Sequence, residues 1–313
     1  MSIAAASMTG DVCYFSPRAL VEAYHSIRVP LTNGGMATVS VRKYIIVDGK
    51  TKLSGGRGTR TSDGGAGKEK FDQARKSASA LGVSNMEVLA FFDGKATPGE
   101  IARVLVAAQT LGLAGSTQAD LQDYCDKQAG VDCSGFVTSF FNMPLTTRMN
   151  TPAGSFRSGD KSMSISVTKR KSIDEFQALD VIVWLGEGHI AIIDSIDDVR
   201  IEEGKRVRRA IVSESTISAM GPICSVDSEG PQTSQYVFRA DPKAEATVGM
   251  RQQSLVGADA SYVRPTLSAR TQPAGTSLIA TEKWTMERPA YKGGKLVSQG
   301  LNSTSIGVRA VSA

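Results

Sequence analysis

Apolar residues follow helical spacing through most of the first half of the chain and strand spacing through much of the second half. Helices are predicted for residues 16–25, 68–82, 85–94, 97–111, 117–127 and 133–141. Strands are predicted for residues 179–185, 189–196, 206–214 and 234–239, and a β-hairpin for residues 37–54. Helical segments followed by antiparallel neighbours with short links predict an α+β fold, with a helix packed on a twisted antiparallel sheet.

Two helix starts have clear sequence signals. Ser16 is suited to cap a helix whose first position is Pro17. Thr97, Pro98 and Glu100 have the spacing of a capping box with proline in the first turn.

Two stretches lack periodicity. Residues 144–172 are rich in small and basic residues and predict a long exposed loop, with Lys169-Arg170-Lys171 as a solvated basic patch. Residues 241–313 contain few long apolar runs, although Trp284 and Tyr291 are suited to be buried anchors. The chain is therefore divided into an extension of hairpin and helices (1–114), a core (115–242) and a C-terminal extension of unknown role (243–313).

Composition excludes several classes of site. The net charge of +5, from 36 basic and 31 acidic residues, suits an anionic partner without selecting one. Neither a disulfide framework nor a zinc cluster is indicated, because the four cysteines are scattered and there are only two histidines. We expect no metal and no cofactor. The scattered cysteines are Cys13, Cys125, Cys133 and Cys224.

The beginning of the chain lacks the basic and apolar pattern of a secretory signal, and no apolar run is long enough to span a membrane. We therefore expect synthesis in the cytoplasm without a signal peptide and no membrane span.

Cys133 is the strongest chemical candidate. Apolar residues follow it at the spacing of one buried helical face, so the cysteine lies at the first turn of a helix. Free amide groups and the helix dipole favour an anion at that end, so we expect Cys133 to be a reactive thiolate.

A reactive thiol requires a base, and His189 suits this role better than His25. His189 begins an apolar strand after a tight Gly-Glu-Gly turn, whereas His25 ends a short helix, where a histidine is ordinarily a cap or surface residue. A cysteine on a helix followed by a histidine on a sheet is the order found in papain-like cysteine hydrolases.

The third group of such a site orients the imidazole. Glu214 is favoured, because it is in phase with Ala210 and Val212 on the strand expected beside that of His189. Asp194 is disfavoured, because its odd separation from His189 places it on the opposite face of the strand.

The sequence also resembles the NlpC-type cell-wall cysteine peptidases over about residues 116–215. Their Asp-Cys-Ser-Gly-hydrophobic-Val segment is matched at residues 132–137, and their histidine strand at residues 189–192. The aspartate before the histidine strand is matched by Asp180, but Leu179 stands where family members usually have glycine.

This resemblance implies a papain-like core, Cys133 as nucleophile and His189 as general base. It also implies an upstream donor to the oxyanion, for which Tyr124 and Gln128 are candidates, besides the amide of Cys133. Family members more often have His, Asn or Gln in the third position than the Glu214 expected here. Asp132 is expected to cap the helix.

The function expected from the resemblance is amide hydrolysis in the peptide stem of peptidoglycan, as a secreted antibacterial effector or a phage-associated lysin, with an immunity or inhibitor protein as a partner. A protease, deamidase or acyltransferase acting on a protein, and a non-catalytic binding protein, are the other hypotheses. A dedicated secretion system or phage release would take the enzyme to the wall. We expect no nucleic-acid partner.

Overall fold

The computed structural model describes residues 14–44, 81–186, 188–216, 229–242, 282–292 and 295–312. These residues form a mixture of helices and antiparallel strands, which confirms the α+β class. The predicted helix at 68–82 lies almost entirely outside the described residues, as does the second arm of the predicted hairpin at 37–54. No helix in these ranges is long and apolar enough to cross a membrane.

The helices begin where the capping residues predict. Ser16 accepts a hydrogen bond from the amide of Ala19, and capping boxes begin at Ser84, Thr97 and Thr117. The helices are α1 Pro17–His25, α2 Asn85–Phe92, α3 Pro98–Thr110, α4 Gln118–Gln128, α5 Cys133–Phe140, α6 Leu145–Asn150 and α7 Ser155–Ser158.

Two sheets are present in the described ranges. The small one pairs β1 Ile27–Pro30 with β2 Met36–Val39, so the first arm of the predicted hairpin pairs with the segment before it. The large one contains β3 Ser166–Lys169, β4 Val181–Trp184, β5 Ile190–Ile196, β6 Arg200–Glu202, β7 Lys205–Thr216, β8 Gly230–Ala240, β9 Trp284–Lys292, β10 Lys295–Asn302 and β11 Ile306–Ser312.

The large sheet has the order β10-β9-β8-β7-β5-β4-β11-β3, with β6 paired to β7. The last three strands of the chain thus belong to the same sheet as the strands of residues 181–240, and Trp284 is buried in it. The sheet therefore crosses the boundary predicted after residue 242.

Side chains alternate between the two faces of this sheet. Val181, Val183, Ile190 and Ile192 pack in the same core cluster as the helices. The neighbouring positions on these strands pack on the other side in a second cluster, which includes Trp184, Tyr236, Phe238 and Trp284. The polar groups described below lie around these two clusters.

The prediction of a long exposed loop at 144–172 was wrong. This stretch contains α6, α7 and β3, and Phe156 is fully buried. Arg170 does not belong to a solvated patch, because its guanidinium bonds both oxygens of Asp180 at 2.9 Å. These elements are short and polar, and they are held by tertiary partners that a local pattern does not reveal.

Candidate active site

Cys133 is the first residue of α5, and its helix start is fixed by Asp132. The Asp132 carboxylate accepts a hydrogen bond from the amide of Gly135, which confirms the predicted cap. The amide of Asp132 in turn bonds the carbonyl of Gly94 at 3.0 Å. The amide of Cys133 lies in the first turn, where N–H groups have no partner within the helix.

A lysine side chain also binds this turn. Lys95 lies 2.8 Å from the carboxylate of Asp132 and 2.5 Å from the hydroxyl of Ser134, and it also bonds the carbonyl of Thr151. Its side chain is 10% exposed. The Asp and Ser of the Asp-Cys-Ser-Gly segment are therefore held by one buried cation.

The glycine of the segment is required by packing. A Cβ atom at Gly135 would overlap the carbonyl oxygen of Gly94 and would crowd the carboxylate of Asp132. Because backbone atoms cannot give way as a flexible side chain can, any other residue would displace the start of α5. This turn places Cys133 with little freedom.

The sulfur of Cys133 is buried beside two groups outside its helix. The hydroxyl of Tyr44 donates to it at 3.4 Å, and the carbonyl of Gly188 lies 3.7 Å away. Burial and the electrostatic influence of Cys133 raise the pKa of Tyr44 above its ordinary range, so this hydroxyl remains a donor. Tyr44 is brought here by the segment after β2, where the carbonyl of Lys43 accepts from the amide of Val131 at 3.0 Å.

His189 directly precedes β5 and lies between Cys133 and Glu214. Its Nε2 is 2.5 Å from an oxygen of Glu214, and Trp184 packs edge-on against the ring at 4.7 Å between centroids. Burial alone would lower the pKa of His189, but hydrogen bonds to Cys133 and Glu214 and the electrostatic influence of both groups raise it to about 9. With Nε2 occupied by Glu214, the bond to Cys133 falls to Nδ1, and the imidazole is protonated at neutral pH.

Glu214 is fully buried on β7. It accepts from the hydroxyl of Tyr236 at 2.5 Å, and a guanidinium nitrogen of Arg288 lies 3.9 Å from the oxygen that bonds His189. Burial alone would raise the pKa of Glu214, but the bond to His189 and the charges of His189 and Arg288 hold it below its ordinary value. The buried carboxylate is therefore ionised beside a protonated imidazole.

The departure at Leu179 lies in the turn before β4. Leu179 has φ +70°, a left-handed conformation that favours glycine, and the residue is 45% exposed. The amide of Leu179 bonds the carbonyl of Ile193, and the Asp180 carboxylate bonds the amide of Gln177. This position thus has the backbone geometry for which glycine is best suited.

The structure brings Cys133, His189 and Glu214 together, but it places Tyr124 elsewhere. The Tyr124 ring stacks on Phe91 at 6.4 Å and lines a small pocket among the helices with Val88 and Leu111. Gln128 is half-buried and is the last residue of α4, five residues before Cys133. Their roles as oxyanion donors stay predictions.

The two disfavoured residues have other partners. Asp194 accepts from the amide of Arg18 at the start of α1, on the face predicted for it. His25 ends α1 as predicted, and its two nitrogens lie 2.8 Å from the hydroxyl of Ser40 and 2.7 Å from the carbonyl of Pro231.

Sequence reasoning missed five residues of the site. They come from separate parts of the chain and are Tyr44, Lys95, Trp184, Tyr236 and Arg288. Strand phase was the one signal for Tyr236, because it pairs with Ala210, which is in phase with Glu214. Nothing local distinguishes Tyr44 or Arg288 from other tyrosines and arginines of the chain.

The arrangement contains a buried sulfur, a protonated imidazole and a carboxylate that orients the imidazole. These are the groups that nucleophilic acyl transfer requires. Among the residues that the structure describes, no group of three or more His, Cys, Asp or Glu side chains is placed to hold a metal ion.

Comparison of the chain with family models, with curated proteins and with solved structures gave no match.

Proposed function

We propose that this chain is a papain-like cysteine hydrolase that cleaves amide bonds through a thioester intermediate. The observation that carries the proposal is the hydrogen-bonded series Cys133–His189–Glu214, with Nε2 of His189 2.5 Å from the carboxylate. Ionising a carboxylate and an imidazole inside a protein is costly, and a histidine held in this way beside a cysteine at a helix start is the arrangement that nucleophilic catalysis uses.

In the first step, the sulfur of Cys133 attacks the carbonyl carbon of the substrate. A protonated imidazole beside the sulfur favours the thiolate form that attacks. As the carbon–nitrogen bond breaks, His189 transfers its Nδ1 proton to the leaving amine, and a thioester to Cys133 remains.

In the second step, neutral His189 takes a proton from water, which attacks the thioester and releases the carboxylic acid. Glu214 remains bonded to Nε2 throughout, so it holds the tautomer in which Nδ1 is the base. The sulfur and the imidazole then return to their starting charges.

The charge that develops on the carbonyl oxygen requires donors. The amide of Cys133 is one by its position in the first turn of α5, and the hydroxyl of Tyr44, next to the sulfur, is a second. Tyr44 is thus a further candidate donor besides Tyr124 and Gln128.

The substrate we propose is the peptide stem of peptidoglycan, in an antibacterial effector or a phage-associated lysin. The support is the Asp-Cys-Ser-Gly segment, in which each residue has a packing contact or a chemical role. The histidine strand follows this segment in the order found in the NlpC-type peptidases. The left-handed backbone at Leu179 supports it further, since the family usually has glycine there.

The test is a digest of purified wall material, with the products identified by mass spectrometry. The parent protein is expected to generate new amino ends, and Cys133→Ala is expected to lower the rate at least about 10³-fold, because the nucleophile is lost. The matched control is Cys125→Ala on the preceding helix. Cys125 is buried and burial raises its pKa to about 12, so its loss leaves the chemistry intact.

Wall products that are the same for the parent protein and Cys133→Ala would overturn the proposal. A parent protein that leaves the wall intact but releases acid or ammonia from a protein substrate would keep the nucleophile and move the substrate to the protein class.

A further inference from the structure

One side chain from each of five consecutive strands of the large sheet meets at the proposed site. In sheet order from β9 to β4 they are Arg288, Tyr236, Glu214, His189 and Trp184, with His189 directly before β5. The first and last of these side chains are in contact, because the guanidinium of Arg288 lies over the ring of Trp184, 5.0 Å from its centroid.

The contact between Arg288 and Trp184 indicates that the sheet curves strongly. β9 and β4 are separated by three strands, and flat spacing of about 4.8 Å per strand would keep them roughly 19 Å apart. The contact of Arg288 with Trp184 therefore exists because the sheet wraps around Glu214 and the ring of His189.

The charge balance around Glu214 changes when His189 loses its proton. In the resting site, the charge of Glu214 is matched by protonated His189. Once His189 has given its proton to the leaving amine, the carboxylate would remain buried as an uncompensated charge, which is costly. Arg288 is the cation that stays, since a guanidinium does not lose its proton.

We propose that Arg288 is a positioning residue that keeps Glu214 ionised and bonded to His189 throughout the reaction. The proposal rests on the proposed function, since it assigns a step in which His189 is neutral. In this role Arg288 supplies a permanent positive charge, 3.9 Å from the oxygen that bonds His189.

The surroundings favour arginine over lysine at this position. The Nε of Arg288 donates to the side-chain oxygen of Gln299 at 2.8 Å, while the guanidinium plane lies over Trp184. A planar cation with several donors makes both contacts at once, whereas an ammonium makes one.

Several charged and titratable groups face the pair of His189 and Glu214. Cys133 approaches His189 from α5 with Tyr44 beside it, and Glu214 is faced by Tyr236 from β8 and by Arg288 from β9. Of these groups, Arg288 is the cation that does not titrate in the working range. Without Arg288, the state in which His189 is neutral becomes less stable relative to the state in which His189 is protonated. His189 should therefore hold its proton to a higher pH.

The test is an NMR titration of histidine-labelled protein, which needs no substrate. The chain has two histidines, so His25 serves as an internal reference for the fold. In Arg288→Gln we expect the titration of His189 to move up by about one pH unit or more, and Arg288→Lys to remain within about half a unit of the parent. Wall hydrolysis should fall about tenfold or more in Arg288→Gln, through kcat rather than KM, because neutral His189 is scarcer.

The matched control is Arg239→Gln, which removes a guanidinium paired with Glu287 from the same sheet without facing Glu214. Its His189 titration should coincide with that of the parent. A titration in Arg288→Gln that coincides with the control, or an Arg288→Lys variant that shifts as far as Arg288→Gln, would overturn the proposal.

Loss of the His25 signals would show that a variant has not folded. If Arg288→Gln does not fold, a folded Arg288→Lys with the parent titration supports the charge role, and an unfolded one reduces Arg288 to a packing residue and overturns the proposal. An upward shift of His189 in a protein that cleaves no wall material would leave the role of Arg288 standing and remove the wall substrate.

Discussion

The two halves of the site each hold a carboxylate against a cation, with different results. On the helix half, Asp132 is paired with Lys95 and bonds the backbone of its own helix. On the sheet half, Glu214 lies near Arg288 and bonds the imidazole that faces the sulfur. The cation lies 2.8 Å from the carboxylate on the helix half and 3.9 Å from it on the sheet half, and a further partner of each carboxylate is backbone in one case and an imidazole in the other. Changes on the helix half should therefore alter stability first, and changes on the sheet half should alter reactivity first.

The largest expected effect is on the sheet half. Glu214→Gln keeps the shape of the side chain but removes the charge, so it should lower hydrolysis about 10³-fold or more, because His189 loses the partner that orients it and favours its protonated form. The measurement is the initial rate of wall digestion. Glu202→Gln is the control, because Glu202 bonds Arg209 on the surface at 2.6 and 2.7 Å. A Glu214→Gln rate within tenfold of the parent would remove the distinction between the two halves.

The pH dependence of stability sharpens the comparison. The pKa of His189 is raised from 6.5 to about 9, so its contribution is complete below about pH 6.5 and is lost as pH rises through 9. The pKa of Glu214 is lowered, so its contribution is complete above about pH 4.5 and is lost as pH falls further. The pair should stabilise most between about pH 4.5 and 6.5, and the alkaline loss should be roughly 3 kcal/mol.

This loss is measured as the free energy of unfolding in urea between pH 6 and pH 10. His189→Gln should remove most of the alkaline slope, because the titrating group is gone. A parent protein and a His189→Gln variant with the same slope would show that the ion pair does not form in the folded protein.

On the helix half, Lys95→Met should lower the free energy of unfolding by about 2 kcal/mol, because Asp132 and Ser134 lose a buried cation. The control is Lys127→Met, whose partner Asp123 lies 2.6 Å away on the surface with both side chains more than half exposed, and about 0.5 kcal/mol or less is expected there. Urea denaturation measures both. Equal losses in the two variants would contradict a supporting role for Lys95.

The smallest expected effect is at the turn that leads into β4. Leu179→Gly should raise the free energy of unfolding by about 0.5 kcal/mol, because relief of the left-handed backbone exceeds the added freedom of glycine in the unfolded chain. Ala178→Gly in the same turn should instead lower it by about the same amount. Thermal denaturation of the two variants compares them, and a Leu179→Gly protein less stable than the parent would contradict the strain at this position.

The helix half was largely predictable from sequence, and the sheet half only in part. Asp132 and Cys133 were found because a cap and a helix face depend on residues within four positions of each other. Glu214 was found from strand phase, which alternates every residue. Tyr44 and Arg288 were not found, since they approach the site from segments about 90 residues before Cys133 and about 70 after Glu214.

By itself, the sequence determined the local elements of this protein: the capped helix with Cys133 at its start, the strand that follows His189 and the face of Glu214. The reason is that hydrogen bonds within a turn and side-chain alternation are set by near neighbours. The tertiary structure alone decided which tyrosine meets the sulfur, that the last strands complete the sheet, and that Arg288 lies beside Glu214. Those contacts depend on which strands pair and on how far the sheet curves, and both are settled only when the whole chain packs.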